Sequence, residues 1–243
     1  MIRRSFFTFS LLALAAAPLA AQQTGKSSDP DKKVAGGGLP AGWAGRTDRA
    51  NAKLEDAKFS SMGAGYHVTS GPAAIYWRAA DKVSGPFTAS ATFTQTKAPM
   101  HPEAYGIFFM GKNLEGADQN YAYLLVRGDG KVMVKHRAGN DVHTILDWTE
   151  NTAVHKADAN GKATNTLTID ASKTDSVRLS VNGAQVAALP GAHLGSTDGI
   201  VGLRVNHNLD VHVADFTITT KPSTVGATPS KGKAKGKGAK KGT

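Results

Sequence analysis

Asn120-Tyr121-Ala122-Tyr123-Leu124-Leu125-Val126-Arg127-Gly128-Asp129-Gly130-Lys131-Val132-Met133-Val134-Lys135-His136-Arg137 is the stretch on which the fold turns. Two runs rich in β-branched and aromatic residues flank a Gly-Asp-Gly cluster, which is the pattern of a β-hairpin. A two-residue turn would put Tyr121, Tyr123 and Arg127 on one face with Val132 and Val134, mixing wet and dry. A three-residue loop, Gly128-Asp129-Gly130, removes the conflict. Ala122, Leu124 and Val126 then share a face with Val132, Val134 and His136. Tyr121, Tyr123 and Arg127 share the other with Lys131, Met133, Lys135 and Arg137. The last loop position wants positive φ, which Gly130 supplies without a Cβ penalty. A slip of one residue would turn every side chain over, so the register is a firm expectation.

The same rhythm continues outward. Short β-branched and aromatic runs alternate with Gly, Asn, Asp and Pro clusters, and no long stretch has helical periodicity. Strands are expected over residues 66–70, 74–78, 87–96, 104–111, 120–127 and 131–137. Six more fall at 143–148, 165–171, 176–181, 185–188, 200–205 and 211–219. Strands at this spacing make a sandwich or a barrel. Because several are long and alternating, the expected fold class is all-β, an antiparallel β-sandwich of jelly-roll type.

The ends of the chain read differently. Residues 1–21 have Arg3 and Arg4, an apolar run from Phe6 to Leu19, and the small residues Ala20 and Ala21 before Gln22. These are the three parts of a signal peptide. The apolar run is too short to cross a hydrocarbon core of roughly 30 Å as a helix. The expectation is a secreted or periplasmic protein with no transmembrane span. Residues 22–38, with Gly36-Gly37-Gly38, form a flexible linker, and 39–220 form the domain. Residues 221–243 carry seven lysines and no acid. With Gly and Pro and no apolar anchor, such a tail cannot offset its ordering entropy and is expected to be disordered. It either attaches loosely to anionic polymers or serves only as a solubilising end.

The formal charge of +10 belongs to those ends. Removing the two arginines and the seven lysines leaves residues 22–220 at about +1, so nothing there points to specific nucleic-acid recognition. There is no cysteine, which excludes disulfides and thiolate zinc or iron–sulfur sites. No cofactor or metal is expected. Stability must come from a hydrophobic core, and about 180 residues are enough to bury close to 70% of the unfolded surface.

Chemistry is sparser. Tyr121 and Tyr123 beside Arg127, Lys135 and Arg137 combine stacking rings with hydrogen-bonding cations, as a sugar-binding sheet face would. The alternative is an ordinary solvated face on which tyrosine is favoured by propensity. Asn206-His207-Asn208-Leu209-Asp210-Val211-His212 offers His207, Asp210 and His212 as acid–base candidates, or is a turn rich in Asn and Asp. His101-Pro102-Glu103-Ala104-Tyr105 places His101 and Glu103 at a strand entrance, or is the polar loop before that strand. His136 falls on the apolar face and reads as a satisfied core histidine. There is no Gly-x-Ser-x-Gly elbow, no His-Glu-x-x-His and no phosphate-binding loop.

Residues 120–130 resemble the central strand and turn of the concanavalin-A-like lectin/glucanase superfamily. Asn165-Thr166-Leu167-Thr168-Ile169, Val181-Asn182-Gly183 and Gly199-Ile200-Val201-Gly202-Leu203-Arg204-Val205 fit in the same order. Val211-His212-Val213-Ala214-Asp215-Phe216-Thr217-Ile218 resembles its closing strand. Within that superfamily the likeness is to the laminin-G-like domain of the 3-keto-disaccharide hydrolase type, over roughly 43–219. The resemblance implies a jelly roll that meets glycans, carbohydrate or an envelope polysaccharide, on a concave sheet or loop rim. The superfamily's glucanases carry Glu-x-Asp-x-x-Glu on one strand. The glutamates here are Glu55, Glu103, Glu115 and Glu150, and none lies in such a motif. A carbohydrate-binding module is therefore the leading expectation. A glycoside-type hydrolase acting on unusual (3-keto) disaccharides is the alternative, followed by a structural or adhesive envelope protein.

Overall fold

The computed structural model describes residues 29–35 and 38–220. The expected signal peptide, residues 22–28 and 36–37 of the linker, and the lysine tail lie outside the described residues. The compact body begins at Asp31. Its strands are β1 (Trp43–Thr47), β2 (Lys58–Met62), β3 (Gly65–Thr69), β4 (Ala74–Val83), β5 (Phe87–Gln95), β6 (Ala104–Lys112) and β7 (Asn120–Arg127). They continue as β8 (Lys131–Ala138), β9 (Asp141–Glu150), β10 (Ala163–Ala171), β11 (Ser176–Val181), β12 (Ala184–Pro190), β13 (Gly199–Val205) and β14 (Asp210–Thr220). One helical turn, α1 (Gly191–Leu194), follows β12.

Two seven-stranded sheets result. The first runs β1-β4-β13-β6-β7-β8-β9 and the second β12-β11-β10-β5-β14-β3-β2. Every pair is antiparallel, and the fold is the β-sandwich expected from the spacing. All twelve expected strands form. The two that were not expected, β1 and β2, are edge strands. Trp-Ala-Gly-Arg-Thr and Lys-Phe-Ser-Ser-Met have little alternation to read, and each is held by one neighbour only.

The hairpin takes the expected register, with Tyr121 opposite Arg137, Ala122 opposite His136 and Val126 opposite Val132. Gly130 sits at φ 87°, and its N–H donates to the Arg127 carbonyl at 3.0 Å, closing the loop. At Val181-Asn182-Gly183-Ala184 both central residues have positive φ, 49° and 82°. That conformation gives a tight turn whose twist matches the flanking strands β11 and β12.

The core lies between the sheets. On β5, Phe87, Ala89, Ala91 and Phe93 point in, and Thr88, Ser90, Thr92 and Thr94 alternate outward. Leu167, Ile169 and Ala171 of β10 meet them from the adjacent strand. Outside, Ser90–Thr168, Thr92–Thr166 and Thr94–Thr164 hydroxyl pairs at 3.2, 2.9 and 2.9 Å tie β5 to β10. Such cross-strand pairs each contribute a fraction of about 1 kcal/mol. Asn165 is a polar residue within the core, fully buried with its amide oxygen and nitrogen bonded.

The first sheet departs from the one-sided pattern. Tyr105, Ile107 and Phe109 of β6, and Ala122, Leu124 and Val126 of β7, enter the inter-sheet core. The opposite face carries a second buried cluster, which includes Trp77, Phe108, Leu114, Tyr121, Tyr123 and Leu125. Its central strands are therefore dry on both faces.

Candidate functional site

That second cluster corrects one expectation. Tyr121 and Tyr123 do point away from the inter-sheet core, as the register requires, but they do not lie on an open face. Tyr121 is fully buried and Tyr123 nearly so. The Tyr121 ring packs against Phe108 at 5.3 Å and Tyr123 at 5.6 Å, so its faces are already in use. The reading from alternation assumed that an antiparallel sheet keeps one wet face. The signal against it was the unbroken apolar runs Tyr105–Met110 and Leu124–Val126. Arg127, Lys135 and Arg137 remain partly exposed. Arg127 lies 4.3 Å over the Trp148 ring and pairs with Asp129 at 2.5 Å, which locks the hairpin loop to its own strand.

Between the tyrosines and β1 lies an ion pair the sequence reading missed. Arg204 of β13 donates two hydrogen bonds to Asp48, 2.8 and 2.5 Å long, and a third to the Tyr121 hydroxyl at 3.3 Å. Its guanidinium also sits 4.8 Å over the Tyr123 ring. Burial pushes the Asp48 carboxyl up, but Arg204, with Arg137 and Arg46 farther off, outweighs it and holds the group below the usual aspartate range. Burial pushes the Tyr121 hydroxyl up, only partly opposed by Arg204. A lone arginine in the apolar run Gly199–Val205 was the available signal, because a charge inside such a strand is buried only with a partner.

Asp48 also borders an open cleft of about 220 Å³, together with Asp31, Arg49, Pro72, Ala73 and His207. His207 is the candidate that the structure places in a converging site. Its Nε2 faces Glu103 Oε1 at 2.7 Å and its Nδ1 faces Asp31 Oδ1 at 3.1 Å. Asn206 donates to the other Glu103 oxygen at 3.2 Å. Arg49 forms an ion pair with Asp31. The chain makes this possible because Asn206 pairs its N–H with the Ala104 carbonyl, bringing the exit of β13 beside the entrance of β6. An imidazole between two carboxylates satisfies both only when each ring nitrogen carries a proton. In that state it is a donor clamp with no lone pair left for a substrate proton.

The remaining candidates go elsewhere. Asp210 opens β14 on the second sheet, where His67 at 3.0 Å, Lys97 at 3.0 Å, Thr69 and Thr96 surround it. Burial pushes the Asp210 carboxyl up, but Thr96, Lys97 and His67 outweigh it and hold it below the usual range. His212 stands opposite His67 on the neighbouring strand, with rings 6.2 Å apart. His101 is exposed in the loop before β6 and does not join Glu103 and His207. A single pocket uniting His101, Glu103, His207, Asp210 and His212 is thus not formed. Strand alternation explains it: residues that are neighbours in sequence emerge on different sheets and faces. Among the described residues, no three His, Asp or Glu side chains are grouped so as to hold a metal ion, and no helix is long and apolar enough to cross a membrane.

No protein-family profile matches the chain, and no curated protein matches it. Several solved structures are similar. A Bacteroides ovatus GH16 protein in complex with a G4G4G3G product is 7% identical, with TM-score 0.49, covering 73% of this chain and 94% of that one. A putative glycosyl hydrolase from Parabacteroides distasonis is 15% identical, with TM-score 0.47, covering 73% and 100%. The carbohydrate recognition domain of Emp47p is 12% identical, with TM-score 0.45, covering 79% and 94%. The fold assignment rests on the two sheets themselves.

Proposed function

We propose that the chain is an exported carbohydrate-binding β-sandwich, secreted or periplasmic, that takes its glycan at the cleft beside His207 and not on the tyrosine face. The observation that carries this reading is the set of planar hydrogen-bonding groups converging there. Asp31, Asp48, Arg49 and His207 line one opening, with Glu103 and Asn206 behind the imidazole. Sugar hydroxyls donate and accept at once, and carboxylates beside guanidinium and amide groups match both halves of that pattern. The acids are already engaged: Glu103 with His207, Asp31 with Arg49 and His207, and Asp48 with Arg204. A two-carboxylate glycosidase needs one protonated acid and one free carboxylate across the scissile bond. Asp48, held below the usual range, is not a proton donor at neutral pH. The lysine tail would add loose attachment to anionic polymers without selecting the sugar.

The second reading is a hydrolase acting on 3-keto disaccharides or glycosides. The observation favouring it is that the short Glu103–His207 contact and Asp31 bring an imidazole and two carboxyl groups together beside one opening, the group types that acid–base chemistry uses. A glycan array combined with a turnover screen that includes oxidised disaccharides separates the two. Binding of a glycan without turnover, lost in Arg49→Ala and His207→Ala, supports the module. Turnover abolished by His207→Ala supports the enzyme, and binding indifferent to both substitutions refutes the cleft.

A further inference from the structure

At the edge of the first sheet farthest from β1, the two sheets part and leave a second cleft of about 280 Å³. Three of the chain's eight histidines reach it from three elements: His136 on β8, His143 on β9 and His193 on α1. Ile145, Leu189 and Leu194 supply most of the remaining wall. No carboxylate, amide or hydroxyl side chain lines it. A sugar would leave its hydroxyls unpaired against such a wall, at roughly 1–3 kcal/mol each. A neutral hydrocarbon would leave the imidazoles unused.

The histidines are held ready. His136 and His143 face each other across β8 and β9 with rings stacked 5.9 Å apart. The His136 Nε2 donates to Asn120 Oδ1 at 3.0 Å, which fixes the neutral tautomer and leaves Nδ1 as the nitrogen that gains a proton. Burial, and then the neighbouring His143, push the His136 imidazole below its ordinary range. Two stacked rings resist a second positive charge unless an anion lies beside them.

We propose that this cleft binds a small apolar carboxylate, its hydrocarbon against Ile145, Leu189 and Leu194 and its charged end on the histidines, with proton uptake on binding. Charge complementarity selects the occupant, because the polar lining consists only of groups that become cations. Among the described residues, no Asp, Glu, Lys or Arg side chain lines the cleft. On β8, Lys135 and Arg137 flank His136 on the opposite face. On β9, Asp141 stands at the hairpin end two residues before His143, with Asp147 and Glu150 farther along the strand. β12 and α1 carry no charged group besides His193. The site is separate from the His207 cleft and stands or falls independently of it.

The test is calorimetric titration of the full chain with decanoate, at about pH 5.5 and about pH 7.5, on either side of the ordinary imidazole range. Affinity is expected to be at least about tenfold tighter at the lower pH, with protons taken up in the buffer comparison. Replacing all three histidines (His136→Gln, His143→Gln and His193→Gln) should abolish that pH dependence. Ile145 is 45% exposed, so two folded variants at the rim give a readout independent of core damage. Ile145→Glu should weaken decanoate binding about tenfold, and Ile145→Lys should preserve or tighten it. Absence of binding at the lower pH, equal affinity at both pH values, equal effects of Glu and Lys at 145, or decanol binding as tightly as decanoate would each overturn the proposal.

Discussion

Replacing Asp48 by alanine leaves the Arg204 guanidinium in place without its counter-ion. The Arg204 side chain is 6% exposed and that of Asp48 21%, and their two hydrogen bonds are 2.8 and 2.5 Å long. Removing one partner of a buried pair costs about 3–5 kcal/mol. Water can reach the vacated Asp48 position, and the Tyr121 hydroxyl and Tyr123 ring stay beside the cation. Those two effects place the expected loss at the lower end, about 3 kcal/mol, or roughly 6–12 °C in Tm for a domain of this size. Urea denaturation of wild type, Asp48→Ala and Asp48→Leu/Arg204→Met measures it. The double variant, which removes both charges, should sit within about 1 kcal/mol of wild type. The sign of the pH dependence is fixed by the lowered folded-state value of Asp48. Its contribution is complete above the unfolded aspartate range and is lost as pH falls through the folded value. Wild type and Asp48→Ala should therefore converge in acid. A single-variant loss under about 1 kcal/mol, or a gap that widens in acid, would refute the reading that buried Arg204 depends on Asp48 as its counter-ion.

Two other substitutions test the interior and the hairpin. Asn165→Ala removes an amide that bonds the Tyr105 hydroxyl, the His155 backbone and Asn182, so buried partners lose their bonds at about 1–3 kcal/mol each. A total loss near 3 kcal/mol by urea denaturation is expected, with the Tyr105 hydroxyl, now pushed up to about 12 mainly by burial, no longer held by the amide. Gly130→Ala places a Cβ at φ 87° and 2.6 Å from the Lys156 side chain. About 1–2 kcal/mol should be lost by urea denaturation, and a comparable loss is expected for Gly85→Ala on the same assay. Equal losses at both glycines would show that positive φ sets the cost, because Gly85 is at 74° with open space around it.

Local pattern carried most of the fold. The 120–137 hairpin was legible to the residue because two alternating runs can meet in only one way that keeps their apolar sides together. β5 and β10 were legible for the same reason. The dry outer face of the first sheet was misread because alternation says which residues share a face, not what covers it. Leu114 shows the difference. It comes from the turn after β6, whose Leu114 and Gly116 carbonyls accept hydrogen bonds from Arg46 of β1, and it packs with Trp77 and Tyr121. Nothing local to Asn113–Asp118 announces that contact.

The candidate site divides along the same line. His207 and Glu103 were both picked out from their own segments, yet 104 positions separate them, and only the pairing of β13 with β6 makes them neighbours. Asp210 lies three residues beyond His207 and ends in a different environment. By then the chain has crossed to β14 on the second sheet, where the first strand position turns its carboxylate toward His67 and Lys97. A cluster of polar residues in one loop is thus weak evidence for one site in a two-sheet fold, since the loop is where the chain changes layers. What does transfer is the demand each charge makes. Arg204 in an apolar strand requires an anion, and Asp48 supplies it. His207, flanked by Asn206 and Asn208, is met by the acceptors Glu103 and Asp31. Read as unmet demands instead of as motifs, these side chains point to the end of the first sheet at which β1, β6 and β13 converge.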